Sequence, residues 1–82
     1  MNDQQLLNRI TMNPQVLSGK PTIRGTRLTV EYILNLLAHK TLSEEILSEY
    51  EGLTVDDIRA CLLFATKVLE DTDFMPLIME ST

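Results

Sequence analysis

Groups capable of chemistry are few in this chain of 82 residues, and they are scattered. Cys61 is the single cysteine and His39 the single histidine. An internal disulfide is therefore excluded, and neither residue makes a metal site by itself. The carboxylates Glu44, Glu45, Asp56 and Asp57 fall in the first turns of expected helices, where the positive end of the helix dipole already accounts for them. No Ser/His/Asp, Cys/His, paired-carboxylate or metal-spaced set converges, so neither catalysis nor a cofactor is expected. Gly19-Lys20 has the outline of a phosphate loop, but that motif needs a glycine five residues earlier and Ser or Thr after the lysine. Those positions hold Pro14 and Pro21, and nucleotide binding is rejected.

What remains is a basic stretch, Gly19 to Val30, containing Lys20, Arg24 and Arg27. Pro21 fixes its own φ and pushes Lys20 out of the helical region, so the segment enters extended. Arg24-Gly25 has the composition of a tight turn, with Gly25 free to take positive φ. Ile23, Leu28 and Val30 then face a core while Arg24 and Arg27 stay in water.

The pattern G-K-P-x-I-x-G-T-R-L-x-V over this stretch resembles the signature of the family known as domain of unknown function 433. The likeness continues through Glu44-Glu45-Ile46-Leu47, Tyr50, Leu53-Thr54, Asp57-Ile58 and Ala60-Cys61-Leu62, covering roughly residues 9 to 66. Lys40 stands where that family often has glycine, and Glu51 where it often has proline; both departures concern turns. The resemblance implies an antitoxin of the VapB kind, partnered with a PIN-like ribonuclease toxin.

Eighty-two residues form one domain with one small core, so stability is marginal and self-association would help. No apolar run approaches the roughly 18 residues of a membrane span, no basic-then-apolar leader opens the chain, and a cytoplasmic protein is expected. Formal charge is −5, divided into +3 over residues 1–40 and −8 over residues 41–82. An acidic total opposes strong autonomous binding to nucleic acid, since phosphate contacts supply most of that affinity. The acidic half suits a basic partner.

The elements that must position these residues read as a mainly α fold. It is a small three-helix helix-turn-helix, homeodomain-like or winged-helix-like, behind an N-terminal two-stranded β ribbon. Residues 1–8 are polar, frayed or helical for one turn. Arg9 to Met12 is a strand ending at Asn13-Pro14, and the expected partner strand is Arg27 to Thr29. The first helix covers Val30 to Ala38 with Thr29 as cap; Val30, Ile33, Leu34 and Leu37 make its core stripe, and Tyr32, Leu36 and Ala38 widen it. The second covers about Ser43 to Tyr50, capped either by Ser43 or by Thr41 in a capping box with Glu44. Glu51-Gly52-Leu53 is a turn with a left-handed Gly52. The third helix starts at Thr54 with a stripe of Ile58, Cys61, Leu62, Ala65, Val68 and Leu69. Asp56, Arg59, Ala60, Leu63 and Lys67 take the opposite face, with Phe64 at the margin.

A short helix, a turn with glycine and a longer helix make a helix-turn-helix, equally compatible with a bundle that never meets DNA. For a DNA binder, Lys20, Arg24 and Arg27 would hold phosphates and Arg59 would read bases, although Asp56 and Asp57 put the wrong sign at the start of the reading helix. The favoured expectation is a protein-binding module. Leu63 and Phe64 are surplus to one core, and Leu36 or Leu63 would join two copies in a homodimer. The domain spans residues 1–69. Residues 70–82 form an acidic, then apolar tail in which Phe74, Met75, Leu77 and Ile78 would anchor a PIN-like toxin. The tail is expected to be mobile when free and to order on that partner, with operator DNA as a second partner.

Overall fold

The computed structural model of the protein describes residues 1–70. Its elements in order are α1 (Asp3–Leu7), β1 (Ile10–Thr11), a short 3₁₀ turn (Leu17–Gly19), β2 (Thr22–Ile23), α2 (Val30–Ala38), α3 (Ser43–Glu49) and α4 (Val55–Glu70). The fold is mainly α with an N-terminal antiparallel ribbon.

The first residues are more ordered than their polarity suggests. Asn2 caps α1 by accepting the Gln5 N–H at 2.8 Å, and Gln5 returns the bond to the Asn2 N–H at 2.9 Å. This reciprocal box satisfies two N–H groups that a helix start leaves without partners. Five residues do not hold a helix alone, and α1 persists because it packs on α4 and buries Leu6.

The ribbon differs from the expected pairing. β1 pairs with β2 in the register Ile10 to Ile23 and Thr11 to Thr22. Thr22 also bridges Thr29 on its other side, the Ile23 N–H donates to Leu28 O at 2.9 Å, and the Val30 N–H donates to Pro21 O at 2.9 Å. Pro21 to Ile23 therefore runs between the two segments expected to pair with each other. The reason lies in the turn. Gly25 takes φ 81°, and the Thr26 N–H reaches Ile23 O at 3.0 Å. Closing this short loop costs less chain entropy than closing the longer one from Arg9 to Thr29, so the local hairpin forms and β1 adds to its outer edge.

α2 matches its expected limits, with Thr29 Oγ1 accepting the Tyr32 N–H at 2.9 Å. It ends in a Schellman arrangement: the Lys40 N–H donates to Leu37 O at 3.2 Å and the Thr41 N–H to Leu36 O at 3.0 Å. That closure needs a left-handed residue, and Lys40 supplies it at φ 68°. The start of α3 agrees with neither expected cap. Leu42 holds the cap position, and the Glu45 carboxylate reaches back to the Leu42 N–H at 3.0 Å. Thr41 is unsuited because its own N–H already closes α2.

The core gathers Ile10, Ile23, Val30, Ile33, Ile46, Ile58, Ala60 and Cys61, with Leu28, Leu34, Leu36, Leu37, Leu47, Tyr50, Leu53 and Phe64 packed around them. The buried face of α4 is rotated from the expected stripe. Ala60 is fully buried, whereas Leu62, Val68 and Leu69 are 48%, 46% and 61% exposed.

Candidate functional site

The first turn of α4 is held by a dense set of hydrogen bonds. Thr54 Oγ1 accepts the Asp57 N–H at 3.3 Å, and the Asp57 carboxylate accepts the Thr54 N–H at 2.9 Å and the Thr54 hydroxyl at 3.1 Å. Asp57 is nearly buried, and its second oxygen accepts from Arg9 Nη1 at 3.0 Å. A single carboxylate thus caps α4 and ties it to the residue just before β1. This pairing was not read from the sequence. The two partners lie 48 positions apart, so no local pattern in the sequence links them.

The pairing changes the electrostatics at the start of α4. Asp56, on the more exposed side, meets Arg59 at 3.0 Å and Arg9 at 3.9 Å. The four charges at the start of α4 therefore sum to zero, with one carboxylate withdrawn from solvent. The wrong-sign objection to a nucleic-acid contact is correspondingly weaker than the bare sequence implies.

The expected phosphate-holding residues do not share one recess. Arg24 Nε donates to Asn8 O at 2.9 Å, anchoring the end of α1, and its side chain borders a small recess with Arg9 and Asp57. Arg27 borders a different recess with Thr22 and Gly25. Lys20 pairs with Glu31 at 3.3 Å on the rim of a third. Both members of that last pair are exposed, so it contributes little to stability. Arg59 lies on the outer face of α4, also exposed.

Of the expected partner contacts, Leu36 and Phe64 are half-buried and pack on the core, and Leu63 is half-buried. Phe74, Met75, Leu77 and Ile78 lie outside the described residues. A groove of about 850 Å³ runs between α2 and the second half of α4. Pro21, Tyr32, Leu34, Ala38, Phe64 and Ala65 give it an apolar lining. Tyr32 on its wall meets Tyr50 edge-to-face, with ring centres 6.2 Å apart and hydroxyls 2.6 Å apart. The hydroxyl contact with Tyr32, then partial desolvation and nearby negative charge, push the Tyr50 phenol up to about 12.

The isolated groups have structural roles. His39 Nδ1–H donates to Asn35 O at 2.8 Å at the end of α2. Cys61 is fully buried, and burial together with the Asp57 charge pushes its thiol up to about 12. A thiol in that state is protonated and a poor nucleophile. Among the described residues, no group of three or more His, Cys, Asp or Glu is placed to hold a metal ion.

A mainly α domain with an N-terminal ribbon, built on the Gly19–Val30 stretch, places the chain in a known class. It belongs to the family described as "Protein of unknown function (DUF433)", whose sequence model matches residues 10–65. Among solved structures, it is similar to a DUF433 member protein from Anabaena variabilis ATCC 29413, determined by crystallography at 2.00 Å resolution. The two share 31% identity with a TM-score of 0.73, over 82% of this chain and 66% of that one. The chain thus spans about two thirds of that protein's length. No curated protein matches it. No helix among the described residues is long and apolar enough to cross a membrane.

Proposed function

We propose that this protein is an antitoxin-like binding module of the VapB kind that neutralises a PIN-like ribonuclease. The observation that carries this reading is apolar surface in excess of one small core. Leu62, Val68 and Leu69 on α4 are each close to half exposed or more, and they lead into residues 70–80, acidic and then apolar. Large apolar side chains grouped at one end of a small protein mark an interaction surface. The sign of the charge supports the same partner. Residues 41–82 carry −8, and a ribonuclease needs a positive cleft to hold RNA.

In this proposal Phe74, Met75, Leu77 and Ile78 are the apolar anchors, and Asp71, Asp73 and Glu80 meet basic residues of the cleft. The test is to read the neighbouring genes for a PIN-like ribonuclease and to titrate that protein with this one, reading both affinity and residual RNA cleavage. Phe74→Ala in the full-length protein is expected to weaken binding by about 2 kcal/mol, the loss typical of a buried aromatic hot spot. Unchanged affinity and inhibition would remove the tail from the interface.

A second reading, contact with operator DNA through α3 and α4, is favoured by the neutralised charge at the start of α4. Arg24→Ala and Arg27→Ala are expected to weaken binding on every sequence, while Arg59→Ala relaxes sequence preference. Absence of retardation on the protein's own promoter, with the ribonuclease bound, would refute it.

A further inference from the structure

Arg9 and Arg24 face each other at the end of the ribbon. The register that pairs Ile10 with Ile23 and Thr11 with Thr22 continues one step outward to these two, and the Arg24 N–H donates to Arg9 O at 2.7 Å. Residues opposed in this way project from the same face of an antiparallel pair, and like charges so placed repel. Both side chains border one recess of about 320 Å³, with Gln5, Asn8 and Asp57 also on its walls. That volume is at the lower end of the roughly 300–1,000 Å³ typical of ligand sites.

The acceptors around this recess are already engaged. Gln5 Oε1 accepts the Asn2 N–H at 2.9 Å, and Asn8 Oδ1 accepts from Gln4 Nε2 at 2.9 Å. The Asn8 main-chain oxygen accepts from Arg24 Nε at 2.9 Å. Asp57 gives one oxygen to Arg9 at 3.0 Å and the other to the Thr54 N–H and hydroxyl at 2.9 and 3.1 Å. The groups left over are donors. The side-chain amide nitrogens of Gln5 and Asn8 and both terminal nitrogens of Arg24 make no hydrogen bond among the described residues. Two guanidiniums against one carboxylate also leave the recess one positive charge in excess, and the neighbouring Asp56 is matched by Arg59 at 3.0 Å.

We propose that this recess is a phosphate site, in which the opposed Arg9 and Arg24 and the amides of Gln5 and Asn8 hold one phosphate group. A carboxylate has two oxygens, which a single guanidinium fork satisfies; a phosphate group presents more, and suits donors arriving from two strands and a helix. Arg24 supplies the free fork, and Arg9 adds charge while its Nη1 stays on Asp57. The bound anion relieves the repulsion between the two arginines. Arg27 and Lys20 border other recesses and take no part. The site rests on the ribbon geometry and on neither proposed partner. Its phosphate is either a free anion or part of a DNA backbone, and the test separates the two.

The test is proton–nitrogen NMR of the full-length protein at pH 7, titrated with inorganic phosphate and, separately, with sodium chloride at matched ionic strength. Phosphate is expected to shift the Arg24 Nε–H and Gln5 side-chain amide signals along a saturating curve, with the Arg27 Nε–H signal left in place. Chloride is expected to shift none of them. Gln5→Glu keeps an oxygen for the box with Asn2 and exchanges a donor for a negative charge. It should weaken phosphate binding about tenfold or more, the loss of one charge-assisted hydrogen bond, as should Arg24→Gln. Unchanged amide signals of the buried Ile33 and Ile58 report that both variants are folded. Identical responses to phosphate and chloride, equal shifts at Arg24 and Arg27, or unchanged affinity in Gln5→Glu would overturn the proposal. A short DNA duplex of unrelated sequence is then added to the phosphate complex. Displacement of phosphate from Arg24 assigns the site to a DNA backbone, and retention assigns it to a free phosphate anion. Promoter retardation is measured separately, so failure of the DNA reading leaves the phosphate result standing.

Discussion

Asp57→Ala should be among the most damaging single changes outside the core, and its size can be assembled from the contacts of one side chain. The substitution removes the acceptor of the Thr54 N–H, which lies 2.9 Å away. Loss of a helix cap of this kind costs about 1 kcal/mol. It also breaks the 3.0 Å pair with Arg9. Exposed pairs contribute about 0.2–1 kcal/mol, while removing one member of a fully buried pair costs about 3–5. With side-chain exposures of 10% for Asp57 and 33% for Arg9, this pair falls between those limits. Arg9 also regains water when its partner goes, so we take about 1–2 kcal/mol. The total, about 2–3 kcal/mol, corresponds to a fall in Tm of roughly 10–20 °C for a domain this small. Asp57→Asn keeps an oxygen for the cap and should lose only the charge-dependent part. Urea unfolding of the parent, Arg9→Met, Asp57→Asn and the double variant gives the coupling directly, and about 1 kcal/mol is expected. A coupling below about 0.3 kcal/mol, or Asp57→Ala unfolding within 0.5 kcal/mol of the parent, would refute the view that this pair fastens α4 to the ribbon.

Three further outcomes follow from single residues. Lys40→Gly removes a side chain from a left-handed position at φ 68° and should stabilise the protein by about 0.5–1 kcal/mol in urea unfolding. Glu51→Pro should stabilise by a similar amount, about 0.4–1 kcal/mol. Gly52 at φ 93° and the Leu53 N–H to Tyr50 O bond of 3.2 Å make Glu51 the second residue of a turn that favours proline there, and Tyr50 is already extended. Cys61 should resist thiol reagents at neutral pH until the protein unfolds. Its folded pKa is raised, so the associated stability is fully present below about 9 and is lost as pH rises from there towards about 12. Rapid labelling of native protein at pH 7 would contradict the buried, protonated thiol.

Features set by near neighbours were legible in the sequence. Thr29 beside an apolar run fixed the start of α2, and Gly25 and Gly52 marked turns because few other residues accept positive φ at low cost. The single cysteine ruled out an internal disulfide before any fold was known. The departures at Lys40 and Glu51 were visible as turn positions, and the structure supplies their dihedral and hydrogen-bond context. What was missed depends on distance along the chain or on rotation about an axis. The partner of β1 was decided by competition between two segments of similar strand character, and the shorter loop prevailed. The facing of α4 could not be read because Ala60 to Ala65 is an unbroken apolar run, which carries no helical period. Only packing against α1 and α2 turned Ala60 inward and Leu62 outward. For the same reason the sequence supplied the residues of the groove but not the groove, since Pro21, Leu34 and Phe64 become one surface only when α2 and α4 pack together. The tie between Arg9 and Asp57 is likewise tertiary: each residue has an adequate local role, and only the packing of α4 against α1 and β1 brings them within 3.0 Å.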